Sequence, residues 1–218
     1  MKYIDAPKKI TAKDYKPAFD AITDFHKAYY EQPEKAARLG VNCYASRDYK
    51  KCKWALLKMF QRLDSDNQNA LKPTKTLKIA RFLQNIDCEF IPYHRTLTHN
   101  DFSPRNLFYD GGQLYIYDWE LACYQNPEHD LIEFLVSVMH EVNDEQLREM
   151  ILYFKQVLFE KIGKQIDEQR YTQILRFNVL EYAGIRLTLL RLVNLQFGLP
   201  FIEQMTANMS RLMDFLHI

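Results

Sequence analysis

Leu97-Thr98-His99-Asn100-Asp101-Phe102-Ser103-Pro104-Arg105-Asn106 runs into Leu107-Phe108-Tyr109-Asp110-Gly111-Gly112-Gln113-Leu114-Tyr115-Ile116-Tyr117 and ends at Asp118-Trp119-Glu120. The middle portion reads as a β-hairpin. Two apolar runs flank Asp110-Gly111-Gly112, where glycine can take the positive φ that a tight turn needs. A hairpin brings its ends together, so Asn106 and Asp118 are expected side by side at its open end. Asp101 lies close enough for a loop to fold back onto the same point. The product is a convergent set of oxygen ligands of the kind that suits Mg²⁺.

Taken singly, these residues have ordinary explanations. A loop carboxylate such as Asp101 usually caps or turns the chain. His99 is read as a structural histidine, and Asn106 alone would be a strand-end turn residue. Together, His-x-Asp-x-x-x-x-Asn, a hairpin and Asp-x-Glu make a specific pattern. Phosphoryl transfer needs a carboxylate near the attacking hydroxyl and oxygen ligands that hold Mg²⁺ on nucleotide phosphates. Asp101, Asn106 and Asp118 supply those groups in that order. Zinc fits less well, because His99 has no second His or Cys at ligand spacing. Phe102-Ser103-Pro104 is not a nucleophile elbow.

Outside this stretch, the 218 residues suffice for one substantial core. Hydrophobic content of 47% and charged content of 26% are those of a globular chain rather than a disordered one. The net charge of +1 gives no footprint for nucleic acid. Its distribution is uneven: residues 1–75 hold 16 Lys/Arg against 9 Asp/Glu, and the remainder 13 against 19. The acidic portion carries the candidate site; a solvated acidic surface is the ordinary explanation, and the bias also suits a metal or a cationic, amine-bearing substrate. Cys43, Cys52, Cys88 and Cys123 form no C-x-x-C pattern, which fits a reducing compartment. No stretch reads as a signal peptide or a membrane span, and the chain is read as soluble and cytoplasmic.

The remaining periodicity is helical. Thr11–Glu31 carries Phe19, Ile22, Phe25, His26 and Tyr29 on one face. Arg47–Leu63, with a solvated Lys50, Lys51, Lys53 and Lys58 side, and Pro73–Ile86 read as two more helices. After Tyr124 the pattern stays helical: 127–142, then 144–162 with Gly163 as its C′ residue. Residues 167–197 follow, with Gly184 as a break or close-packing point, then a last helix with Met205, Met209 and Met213 in its core stripe. The expected fold is mainly α with one small β-hairpin, forming a single domain.

His99-Asn100-Asp101-Phe102-Ser103-Pro104-Arg105-Asn106 with Tyr117-Asp118-Trp119-Glu120 resembles the aminoglycoside phosphotransferase/choline kinase family, whose members share the protein-kinase fold. The resemblance implies Asp101 as catalytic base and Asn106 and Asp118 as Mg²⁺ ligands, with ATP as co-substrate. Glu120 would be a secondary metal or substrate contact. His99 would brace the loop through backbone contacts, and Asp130, in Asn-Pro-Glu-His-Asp-Leu-Ile-Glu-Phe-Leu, would buttress it. Asn100 stands where aminoglycoside kinases usually have Gly and leans toward choline-kinase-like members. The acceptor would be a hydroxyl of a small molecule.

Ala21-Ile22-Thr23-Asp24-Phe25-His26 is similar to the first large-lobe helix of that family, which follows the hinge. On that alignment residues 1–20 are a leader or hinge remnant, 97–130 the catalytic and metal-binding segment, and 131–218 a helical substrate-side subdomain. The expectation is a large C-terminal lobe without the small N-terminal lobe that carries the phosphate-covering loop. Activity would then need a separate N-lobe chain, an upstream domain or a second copy, and the isolated chain would be weakly active or inactive. The alternative is a non-catalytic binding or regulatory module derived from a kinase.

Overall fold

A computed structural model describes residues 10–43, 81–85, 94–187 and 201–218. The chain forms two compact units, Met1–Ala45 with His94–Ile166 and Ser46–Tyr93 with Asp167–Ile218. The first carries the candidate site.

In the first unit, Thr11 opens a capping box with Asp14, and the 3-10 turn Ala12–Asp14 leads into helix α1 (Tyr15–Tyr29). Helix α2 (Pro33–Ala37) starts with proline at its first position, where the missing N–H costs nothing. Helix α3 (Glu128–Val138) buries Leu131, Phe134, Leu135 and Val138. Helix α4 (Asp144–Ile162) is capped at its start by reciprocal bonds between Asn143 and Gln146. It ends at Gly163 with φ 66°, as the sequence requires.

The core joins α1, α3 and α4. Phe19 meets Phe134 and Phe154 edge to face, with centroids 5.1 and 5.3 Å apart. Polar contacts frame it: Tyr153 donates to Asp20, Lys161 pairs with Asp24 at 2.7 Å, and Tyr15 donates to Glu149 at 2.6 Å. Phe25 departs from the expected stripe and is 42% exposed. A helix turns about 100° per residue, so Phe25 lies roughly 60° beyond Ile22, at the edge of the apolar face. There it packs obliquely on Trp119, with centroids 4.8 Å apart.

Strands β1 (Asn42–Cys43), β2 (Thr96–Thr98) and β5 (Cys123–Gln125) form one small sheet in the order β1-β5-β2. β1 runs parallel to β5, whereas β2 is antiparallel to it, with Leu97 opposite Tyr124. β3 (Leu107–Asp110) and β4 (Gln113–Ile116) are the expected hairpin, in register Leu107↔Ile116 through Asp110↔Gln113. Gly111 and Gly112 take φ 57° and 84°, the pair of positive values a two-residue turn demands.

In the second unit, residues 81–85 are helical and Leu83 is buried. Helix α5 (Glu168–Glu181) buries Tyr171, Ile174, Leu175 and Phe177. It passes directly into a π-helical stretch, Tyr182–Leu187, that contains Gly184. Helix α6 (Phe201–Phe215) turns Met205, Met209 and Met213 inward. The expected helix over Arg47–Leu63, most of the one over Pro73–Ile86, and residues 188–197 lie outside the described residues.

Candidate active site

Asp101 is held by what flanks it. Phe102 is fully buried and packs on Phe134 with centroids 5.7 Å apart, which anchors the loop in the core. The Ser103 N–H donates to the Asp101 carbonyl at 2.9 Å, and Pro104 begins a 3-10 turn that carries Arg105 and Asn106. The Asn106 amide nitrogen donates at 2.9 Å to both the Asp101 carbonyl and its Oδ2. Arg105 Nη2 donates to Oδ1 at 2.8 Å. Both carboxylate oxygens are therefore oriented. Asn106 spends its amide hydrogens on Asp101, so its Oδ1 is the atom left to face a metal.

The two peptide groups before Asp101 are clamped from α3. Asp130 Oδ2 accepts from the His99 N–H at 3.0 Å, and its Oδ1 from the Asn100 N–H at 2.9 Å. The same Oδ2 accepts from His26 Nε2 of α1 at 2.9 Å, and both side chains are fully buried. His99 uses both ring nitrogens on backbone: Nε2 donates to the Tyr117 carbonyl at 2.8 Å, and Nδ1 accepts from the Asp101 N–H at 3.3 Å. Asn100 takes φ 61°, the left-handed region that favours Gly and tolerates Asn. Its side chain donates to the Leu121 carbonyl and accepts from Gln125 Nε2, both at 3.0 Å.

The hairpin closes on the same point. Tyr117 N–H donates to the Asn106 carbonyl at 3.1 Å, which sets Asp118 at the open end beside Asn106. Asp118 also has positive φ, 65°, and its side chain forms no capping bond. Trp119 fixes the exit, donating Nε1 to the Ile116 carbonyl at 3.1 Å and packing on His99 at 4.7 Å. Asp118 and Glu120 are both exposed. Among the described residues no cluster of three His, Cys, Asp or Glu could hold a metal unaided. One carboxylate plus one amide oxygen is instead the partial set that Mg²⁺ uses when phosphates complete its shell.

Sequence reasoning missed a second layer. In the sequence His26 reads only as part of an apolar face and Glu128 only as part of a helix start, while Asp130 is expected to buttress the loop but not to meet His26. The structure pairs them all: His94 Nε2 lies 2.9 Å from Glu128 Oε1, and Tyr30 Oη lies 2.8 Å from His94 Nδ1. Burial, with Glu31 nearby, pushes the Tyr30 phenol well above its ordinary value, so it is the donor in that bond and leaves Nε2–H to donate to Glu128. The available signal was two acids at the head of a helix whose remaining residues are mostly apolar. Arg105 was likewise passed over, although an i,i+4 basic partner to Asp101 stands in the motif itself.

Residues 13–160 match the phosphotransferase enzyme family, more than half of the chain, and the chain belongs to that family. Solved structures share the fold. The macrolide 2'-phosphotransferase MphH of Brachybacterium faecium superposes with TM-score 0.52 at 18% identity, over 92% of this chain and 60% of that one. Choline kinase LicA of Streptococcus pneumoniae gives 0.55 at 14% identity, over 99% of this chain and 69% of that one. A choline/ethanolamine kinase family protein from Mesorhizobium loti gives 0.53 at 15%, over 100% and 68%. This chain thus spans between 60% and 69% of the length of those three structures. A search of the curated proteins gives no match. Among the described residues, no helix is long and apolar enough to cross a membrane.

Proposed function

We propose that this chain is the large-lobe portion of an ATP- and Mg²⁺-dependent phosphotransferase that moves the γ-phosphate to a hydroxyl of a small molecule. The observation that carries the reading is the meeting of Asp101, Asn106 and the Asp118 hairpin exit at one point. Asp101 orients and deprotonates the acceptor hydroxyl. Asn106 Oδ1 and the Asp118 carboxylate hold Mg²⁺, which when bound neutralises charge on the phosphates. Glu120 is a secondary metal or substrate contact. His99, Asn100 and Asp130 keep the loop in shape. The groups that cover the phosphates come from a small lobe outside the described residues, as upstream sequence, a separate chain or a second copy. The acidic bias of residues 76–218 favours an amine-bearing acceptor of the choline or aminoglycoside type.

Asp101→Ala or Asp118→Ala in the complete native polypeptide should lower kcat by about 10³-fold, roughly 4 kcal/mol of barrier, because electrostatic positioning does most of the catalysis. Wild-type turnover in either variant would sink the assignment.

A non-catalytic binding module is the second reading. The exposed aromatic and aliphatic side chains on and around the hairpin, Tyr115, Tyr117, Leu121 and Phe25, favour it. Thermal shift with Mg²⁺ and ATP separates the two. Stabilisation that disappears in Asp118→Ala supports the enzyme, and no response in the wild type supports the module.

A further inference from the structure

Arg105 has no role in the reading above, yet it is the cation seated on the base. Its backbone is held in place by the turn it sits in and by the hairpin exit. It sits in the Pro104–Asn106 turn, whose closing bonds run from Asn106 N–H to the Ser103 carbonyl at 2.9 Å and from Leu107 N–H to the Pro104 carbonyl. The Tyr117 hydroxyl, reaching over from the hairpin exit, donates to the Arg105 carbonyl. From that base the guanidinium reaches Asp101 Oδ1 at 2.8 Å while the side chain stays 55% exposed. An exposed i,i+4 ion pair adds little to stability. Its position on the reacting carboxylate is therefore the feature to explain.

An acceptor hydroxyl within hydrogen-bond reach of Asp101 brings the transferred phosphorus to within a few ångströms of the same carboxylate. Two anions would then face each other across the hydroxyl. Building on the proposed function, we propose that Arg105 is a catalytic residue that bridges them, one edge of its guanidinium on Asp101 and another on an equatorial oxygen of the transferring phosphoryl group. The planar fork suits two anionic oxygens at once. In the step itself, the acceptor oxygen forms a bond to Pγ as its proton passes to Asp101. The bond from Pγ to the β,γ-bridging oxygen breaks, and its electron pair leaves on ADP. Arg105 changes neither bonding nor protonation, and offsets the charge that the phosphoryl oxygens carry in the loose transition state.

The test uses the complete native polypeptide with Mg²⁺, ADP and fluoroaluminate, a planar phosphoryl mimic that needs no known acceptor. Affinity for Mg·ADP and for Mg·ADP·fluoroaluminate is measured by calorimetry in the wild type, Arg105→Ala and Arg105→Lys. The expected result is tighter binding with fluoroaluminate in the wild type. Arg105→Ala should lose at least tenfold of that gain, Arg105→Lys should lose part of it, and Mg·ADP binding should change less than threefold in both. Phosphate release from ATP, with water as acceptor, should fall about 100-fold in Arg105→Ala, with KM for ATP little changed. An equal fluoroaluminate gain in wild type and Arg105→Ala overturns the bridge. Absence of Mg·ADP binding in the wild type overturns the nucleotide reading beneath it. Arg105→Lys keeps the positive charge on a folded loop, so loss of folding in Arg105→Ala alone leaves the comparison intact.

Discussion

Asn100 shows how one residue can meet a backbone demand and a packing demand together. The loop needs a left-handed residue before Asp101, and Gly would satisfy that at no steric cost. Asn tolerates φ 61° and adds two side-chain bonds, to Leu121 and from Gln125, that tie the Asp101 loop to the segment after Asp118. Asn100→Ala keeps the strained φ and loses both bonds, so it should destabilise the fold by about 2 kcal/mol in urea unfolding. Asn100→Gly relieves φ and should cost about half as much. If Ala is the milder change, the backbone account is wrong. Asp118 sits in the same region of φ without Asn100's supporting bonds, and such strain gathers where a side chain must be aimed. The losses expected for Asp101→Ala and Asp118→Ala belong at this scale too.

At the scale of elements, α1 and α4 are joined by a polar rim around an aromatic centre. Glu149 on α4 accepts from the Tyr15 hydroxyl at 2.6 Å and meets Lys16 at 3.3 Å. The Tyr15 bond first, and then Lys16, hold its carboxyl below the ordinary 4.5, and the side chain is exposed. A carboxyl lowered by folding binds fewer protons folded than unfolded, so its stabilisation is present above pH 4.5 and fades as pH falls through the lowered value. Glu149→Gln should therefore be less stable than wild type at neutral pH, and the gap should narrow as the medium is acidified. Denaturant midpoints across pH check this. A gap that widens in acid contradicts the sign. Tyr15 moves the opposite way, pushed up chiefly by burial and then by Glu149, so it remains the donor throughout.

At the scale of the whole molecule, the candidate site depends on a carboxylate that never reaches the surface. Asp130 binds the His99 and Asn100 peptides and His26 at once, joining α1, α3 and the loop around a fully buried group. Removing it leaves two peptide N–H groups and an imidazole without their acceptor. Asp130→Ala should cost roughly 3–5 kcal/mol by urea unfolding. A loss below about 1 kcal/mol would mean the loop is shaped by something else. The hairpin, its turn, the approach of Asp101 to Asn106, the Gly163 stop of α4 and the methionine stripe of α6 were all legible in the sequence. Each rests on interactions between residues a few positions apart or on a simple period, and local chemistry of that kind is written in residue order. What only the tertiary structure decided is the company these residues keep. His26 and Asp130 are 104 positions apart, and His94 and Glu128 are 34 apart. Their pairing depends on which helix packs on which, and that is settled by burying apolar area over the whole chain. The exposed Phe25 follows the same rule, because whether the edge of a helical stripe is covered depends on the neighbour that arrives. The opening stretch thus carried, in residue order, the pattern that points to phosphoryl transfer. The fold decided that Asp101 is gripped on both oxygens, and that one of the two grips is Arg105.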